Sequence, residues 1–429
     1  MISLVVVLGG LVLLLLTGVP VFAGIGLTSI VIMLLVEGSF SGVADTVFGK
    51  LNINLLATIP LFAFMAYIMI RARIVDDLYR TAHTLVRHLP GGLGVATVMS
   101  CTVFSAISGS SAATALTIGT SAIPQMNRYG YPTRAALGVV AAGGTLGILI
   151  PPSGPMILYA IVTEASIGAL FAAGLIPGLI VATLFALWCI ASNLGPRGAQ
   201  RGERTTAREA LVAIRASFWA LVMPPLVLGG IYFGIFTASE AAAIGAILAL
   251  LVAVLAYRNF GWKDLYDCAY DTVRISAMLF MIVAAAGMFG HAVTVMRLPN
   301  ELVAATTGAG LTPIEFIIAV MLVIFVLGMF LETIAIILIT TPIIFPVMVD
   351  LGISPVWYGV LLMINLELAL ITPPVGINLF VIRGITRAPL GEVIRGTVPY
   401  AVLMVAGLIL MLLVPSISLW LPELMGFGR

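Results

Sequence analysis

Long apolar runs separated by short polar stretches organise this chain from end to end. Runs of membrane-spanning length occupy 2–16, 20–36, 54–70, 169–192, 217–236, 240–257, 276–293 and 397–414. A helix needs about 20 such residues to cross the hydrocarbon core of a bilayer, and backbone facing lipid must satisfy its own hydrogen bonds. Helices are therefore predicted throughout. Two segments, 92–127 and 313–346, are too long for one crossing and carry a polar centre, "SGSS" at 108–111 and "FLET" at 330–333. Each predicts a helical hairpin that enters the membrane and returns. Two more segments, 135–165 and 356–382, are apolar helices interrupted by a double proline, "ILIPPSG" at 148–154 and "LITPPVG" at 370–376. A proline inside a helix removes a backbone hydrogen bond and clashes with the preceding turn, at about 3 kcal/mol, so both helices are expected to be broken there.

Composition sharpens this to a class. Of the 429 residues, 61% are hydrophobic and 9% charged, against about 25% charged in soluble domains. The chain reads as an all-α polytopic membrane protein. Its longest polar connection, 193–216, is too short for a soluble domain, and no nucleic-acid partner is expected. Residues 2–16 lack a basic n-region and a small-residue cleavage site and are expected to stay as a first helix. Cys101, Cys189 and Cys268 have neither metal-ligand spacing nor the even count of a disulfide framework.

Charge placement predicts topology. All but three of the 20 Lys and Arg residues fall in five groups: Arg71–Arg87, Arg128 with Arg134, Arg197–Arg215, Arg258–Arg274, and Arg383–Arg395. The positive-inside rule makes those five connections cytoplasmic. The count of crossings between groups is then consistent only if 92–127 and 313–346 are hairpins, opening from the cytoplasm and from outside respectively. Both termini come out periplasmic, in a bacterial or archaeal cytoplasmic membrane.

The chain is thus written twice, in opposite orientations. Pro151 and Pro373 lie 222 residues apart, and the hairpin tips keep nearly the same offset. An amphipathic stretch precedes each hairpin, 73–92 and 297–310, and each is expected to lie in the membrane interface. The expected organisation is two N-terminal helices (1–42), a first repeat (43–192), a connecting region (193–263), a second, inverted repeat (264–412) and a C-terminal tail (413–429). Inverted repeats with broken helices at matching positions point to a secondary transporter whose site lies at the repeat interface.

The candidate chemistry clusters at the tips and breaks. Tip one offers Ser105, Ser108, Gly109, Ser110 and Ser111. Their hydroxyls can ligate a hard cation or donate to a carboxylate, although small residues also serve close helix packing. Gly143, Gly144 and Gly147 loosen the backbone before Pro151 and Pro152, and Ser153 can cap the following half-helix. Freed carbonyls at such a break suit a sodium ion; waters or neighbouring hydroxyls could also satisfy them. Tip two offers Gly328, Glu332 and Thr333, and its break offers Thr372, Pro373, Pro374, Val375, Gly376 and Asn378. An ionisable residue at membrane depth is functional by default, so Glu332 either faces a cation or proton or caps the second hairpin arm. Glu367, one to two turns before the second break, is expected to face an interface or a watery cavity without touching substrate. Half-helix N-termini favour anions and interrupted backbones favour cations. The combination suits co-transport of a carboxylate with sodium. The candidate carboxylate-binding groups are Ser110, Ser111, Thr114, Ser153, Glu332, Thr333 and Asn378.

"SGSSAAT", "GGTLGILIPPSGP", "FTASEAAAIGA" (236–246), "GMFLETIAIILITTPI" (328–343) and "NLELALITPPVGINLFV" (365–381) together resemble the large, DctM-like membrane subunit of tripartite ATP-independent periplasmic (TRAP) transporters. The resemblance covers nearly the whole chain. It implies a sodium-driven transporter of elevator type, working with a small four-helix membrane subunit and a soluble periplasmic binding protein. It also implies a first sodium site from Ser108, Ser111, Gly147, Ile150 and Pro152, and a second from Gly328, Thr372 and Val375. Some relatives carry an acidic residue near Thr114; this chain has none between 91 and 163. The family's substrates run from C4-dicarboxylates to sialic acids, and the 365–380 wording is closer to the dicarboxylate branch. In "FTASEAAAIGA", Ser239 is expected to cap a helix with Glu240 in its first turn. The alternatives are a stand-alone sodium/dicarboxylate symporter with the same two hairpins, or an intramembrane hydrolase pairing a tip serine with His83, His88 or His291. The hydrolase reading fails on placement, since none of these histidines shares a helix with the serines. An enzyme is not expected.

Overall fold

A computed structural model describes residues 2–39, 42–195 and 202–427. Arg197, Arg201 and Arg429, counted above among the basic residues, lie outside them. The regular elements among the described residues are all helices. Seven are long and apolar enough to cross a bilayer, or eight if the bent pair Ala207–Ala216 and Phe218–Tyr232 counts as one span.

Each hairpin is an antiparallel helix pair: Gly92–Ser108 with Ser111–Arg128, and Pro313–Gly328 with Thr333–Asp350. The first broken helix runs as Thr133–Gly144, Leu146–Leu149 and Gly154–Thr163, the second as Pro355–Leu370 and Ile377–Thr386. The Pro151–Pro152 and Pro373–Pro374 peptide bonds are both cis. The repeats interlock. The outgoing half-helix Gly154–Thr163 packs on the second repeat's Thr333–Asp350, and Ile377–Thr386 packs on the first repeat's Ser111–Arg128. Small residues permit this closeness. A Cβ on Gly138 would lie 2.0 Å from the Gly396 carbonyl oxygen, where Thr133–Gly144 crosses Leu390–Leu413.

A second group of helices, which includes Thr58–Arg71 of the first repeat and Trp262–Val295 of the second, flanks this interlocked body. Val21–Val36 and Thr58–Arg71 both pack on the long helix Trp262–Val295, and Ala238–Leu251 packs on Thr58–Arg71.

The five arginine groups meet on one face. Arg71 pairs with Asp264 at 3.0 Å and with Asp267, joining the first group to the fourth. Arg87 donates to Glu209 at 2.8 Å, and the Thr81 and Ser217 hydroxyls pair at 2.7 Å, joining the first to the third. The rings of His83 and Tyr129 lie 5.7 Å apart, which brings in the second. Arg134 donates twice to Glu392, at 2.8 and 3.1 Å, which brings in the fifth.

Three local expectations change. The cap of Ala238–Leu251 is Thr237, not Ser239: Thr237 accepts from the Glu240 N–H at 3.3 Å, and Glu240 accepts from the Thr237 N–H at 2.8 Å. Thr237 is the last extended residue and has glutamate three places on, the arrangement of a capping box. Ser239, already inside the helix, pairs with the Thr58 hydroxyl at 3.1 Å instead. The amphipathic helix before hairpin one, Asp76–Val86, is covered by protein as well as by any interface, with Leu78 and Tyr79 buried against hairpin one and Ala207–Ala216. The C-terminal tail contains a helix, Ser416–Leu424, docked on Ile167–Ala191; Phe427 reaches to 2.8 Å from where a Gly168 Cβ would stand.

Candidate functional site

Tip one is shaped by one glycine. Gly109 ends the first arm in the left-handed conformation, φ +57°, and a Cβ there would sit 2.6 Å from the Pro152 carbonyl oxygen. The chain thus turns directly against the proline break. Gly147 does the same from the other side, where a Cβ would lie 2.5 Å from the Ser110 carbonyl. Ser110 caps the second arm, accepting from the Ala113 N–H, and Ser153 caps the half-helix after the break, accepting from the Met156 N–H. Two helix N-termini, with the free N–H groups of their first turns, therefore start beside one another. Ser108 and Thr114 share a hydrogen bond of 2.9 Å across the tip, and Thr114 also donates to the Ser110 carbonyl at 2.8 Å. Ser105 is fully buried, and its hydroxyl has no partner among the described residues.

Tip two uses a charged cap. Glu332 Oε2 accepts from the N–H groups of Ile334 and Ala335, at 3.2 and 3.3 Å, at the start of Thr333–Asp350. Gly328 ends the arm before it, where a Cβ would meet the Ala369 Cβ at 2.6 Å. At the second break Thr372 folds back to donate to the Leu368 carbonyl at 2.7 Å, and Gly376 takes φ +58° before Ile377 restarts the helix.

One cavity of about 280 Å³ collects these pieces. Ser108, Ser110, Ser111, Pro152 and Ser153 line it from the first repeat, and Glu332, Thr333 and Asn378 from the second. Its opposite wall is apolar and comes from the surrounding helices, through Ile59, Phe62, Met278 and Leu279. Glu332 is the one charged residue of the lining. Thr114 reaches the cavity through Ser108 and Ser110. Gly147 and Ile150 are packed behind the wall. Gly328, Thr372 and Val375 stand apart from it; Thr372 and Pro373 border a separate apolar groove beside Leu390–Leu413.

Glu367, set aside in the sequence, is central here. It is fully buried, its Oε2 accepts from the Ser111 hydroxyl at 2.9 Å, and its Oε1 accepts from the Ile148 N–H at 3.1 Å. A residue of the second repeat thereby holds both the tip and the break of the first. Asn378, also fully buried, donates to the Ser111 hydroxyl at 2.8 Å and to the Ala141 carbonyl at 3.3 Å. The signal was present: an acidic residue at membrane depth, the same feature that singled out Glu332.

Two inverted repeats that close a hairpin tip and a broken helix around a shared cavity define a multi-pass membrane transporter rather than an enzyme. Residues 8–417 match the family described as the DctM component of tripartite ATP-independent periplasmic transporters, and the chain belongs to that family. It is 38% identical over 401 residues, 93% of each chain, to the C4-dicarboxylate TRAP transporter large permease protein DctM of Pseudomonas aeruginosa. It is 35% identical over 441 residues to the protein of the same name from Rhodobacter capsulatus, covering 99% of this chain and 100% of that one. The ectoine TRAP transporter large permease protein TeaC of Halomonas elongata is 32% identical over 415 residues, covering 96% and 97%. Among solved structures, the Alcanivorax borkumensis YdaH transporter, described as having an unusual topology, shares the fold with a TM-score of 0.64 at 15% identity, covering 91% of this chain and 88% of that one.

Proposed function

We propose that this large permease subunit imports an organic acid, a C4-dicarboxylate or similar carboxylate, driven by a sodium gradient. In this reading a periplasmic binding protein delivers the acid, a small four-helix membrane subunit completes the transporter, and the interlocked repeats move as an elevator body past the surrounding helices. The observation that carries it is the cavity between those two groups of helices. Its inner wall is built of two hairpin tips, the first proline break and the start of the half-helix after the second; its outer wall is an apolar surface along which that body can slide. Hydroxyls and half-helix N-termini at Ser110, Ser111, Ser153, Thr333 and Asn378 suit a carboxylate. With one acidic residue in the lining and no basic one, the anion needs bound cations to offset its charge. Neutral oxygens at Ser108, Ser111, Gly147, Ile150 and Pro152 are the proposed first sodium site, and those at Gly328, Thr372 and Val375 the second. Each charge moved down 100 mV supplies about 2.3 kcal/mol.

The test is uptake into proteoliposomes holding this chain, its small membrane subunit and its binding protein. Succinate or a related diacid is expected to accumulate with an inward sodium gradient and not with choline in place of sodium. Equal uptake in choline would overturn sodium coupling. Uptake by this chain alone would replace the tripartite reading with a stand-alone symporter.

A further inference from the structure

We infer that Glu367 is the positioning carboxylate of the first-repeat cation site, supplying from the second repeat the negative charge that site lacks in its own half of the chain. The inference rests on the sodium-coupled reading above. Its first support is burial. Glu367 is fully enclosed, and no Lys, Arg or His forms an ion pair with it among the described residues. An ionised carboxylate in a protein interior is costly unless a counter-charge and hydrogen bonds accompany it. The hydrogen bonds are present, from Ser111 and Ile148, and both bonding groups act as donors. The counter-charge is what remains to be supplied.

The second support is Asn378, which shares Ser111 with Glu367. Its amide orientation is fixed by its neighbours, because the Ala141 carbonyl can only accept and Nδ2 faces it. That leaves Asn378 Oδ1 buried with no partner among the described residues. A buried, unsatisfied acceptor calls for a donor or a cation. Ser111 thus joins a carboxylate and an orphaned amide oxygen, drawn from three helical elements of both repeats. Ser111, Ile148 and Asn378 line the cavity while Glu367 stands behind them. The carboxylate therefore acts through its two donors: it orients the Ser111 hydroxyl so that the lone pair not taken by Asn378 is left for the site, and, with a cation bound, it places a negative charge behind the wall. It also answers the missing acid of tip one, since no acidic residue lies between 91 and 163 and the charge arrives from position 367.

The experiment is sodium binding by purified protein, read as the sodium-dependent rise in melting temperature against matched choline chloride. Wild type is expected to show a saturable sodium-specific rise. Glu367→Gln keeps the shape and one acceptor, for the Ile148 N–H, turns an amide N–H toward the Ser111 oxygen and removes the charge; its half-saturating sodium concentration is expected to rise about tenfold or more, the effect of losing one nearby charge. Glu367→Asp, which keeps the charge on a shorter arm, is expected to recover part of that loss. A merely structural role would lower the melting temperature in choline and leave the sodium response intact. Unchanged sodium affinity in Glu367→Gln overturns the inference. Should that variant not yield monodisperse protein, Glu367→Asp carries the test of position: its shorter arm is expected to weaken sodium binding, and wild-type affinity there overturns the positioning role. Absence of a sodium response in wild type itself overturns the underlying sodium reading, a result distinguishable from the others.

Discussion

Gly109 meets two demands at once: a left-handed backbone at φ +57° and a carbonyl 2.6 Å from where its Cβ would stand. The first costs an L-residue about 1–2 kcal/mol. The second sets a methyl group against main chain, which cannot swing aside as a side chain can. Gly109→Ala is therefore expected to separate tip one from the Pro151–Pro152 break and to abolish uptake while membrane insertion is kept. Gly391→Ala is the control, because a Cβ there meets nothing within 4 Å, it lies in the first turn of Leu390–Leu413 away from the cavity, and alanine suits a helix start better than glycine. Uptake assays and membrane-fraction blots on the two variants check the pair; equal activity would show that the close approach at the tip is dispensable. At this scale the sequence was legible wherever a residue type was out of place. Serines in an apolar hairpin and prolines in an apolar helix announce themselves. The Glu367 contacts did not, because they join positions up to 256 residues apart and exist only once the repeats interlock.

A hairpin tip inside a membrane poses the general problem of a helix start, where the first N–H groups have no partner, in a place with little water to help. The two tips solve it differently: Ser110 and Ser153 cap with neutral oxygens, Glu332 with a carboxylate. Only Oε2 of Glu332 receives the two N–H groups, so Oε1 remains for the cavity that the residue lines. Glu332→Ala is expected to destabilise the protein by about 1 kcal/mol, the worth of a cap. Glu332→Ser is expected to restore most of the melting temperature but not the rate of sodium-driven uptake. Restoration of both would reduce Glu332 to a cap. Hairpins, breaks and the short helices that precede the hairpins could be read from length and punctuation alone. Caps could be read only in type: two hydroxyls precede Glu240, and which of them lies just outside the helix is decided by the backbone entering it. The C-terminal helix was missed because its apolar residues are too few to span a membrane, and its partner, Ile167–Ala191, lies far away in sequence.

Over the whole molecule, the five arginine groups form one connected face through Arg71–Asp264, Arg87–Glu209, His83–Tyr129 and Arg134–Glu392. Exposed ion pairs of this kind add little stability each, so their concentration on one face is better explained by topology than by folding energy. The positive-inside rule assigns that face to the cytoplasm. A parity argument from sequence could count crossings but not show that the groups meet, because the count rests on treating two long apolar segments as hairpins. With the hairpins in place, the 34-residue helix Trp262–Val295, whose first turn holds Asp264 beside Arg71, is long enough to carry the chain from the arginine face across a bilayer to Leu298–Gly308. The three native cysteines are buried, so a cysteine introduced at the surface can be labelled against a quiet background. Arg208→Cys and Arg383→Cys are expected to react with a membrane-impermeant maleimide only after the membrane is opened. Ala309→Cys and Glu423→Cys are expected to react in intact spheroplasts. The reverse pattern would invert the assignment of the face, and with it the side from which a binding protein could deliver a substrate. A mixed pattern within either pair would mean that one hairpin crosses the bilayer instead of returning.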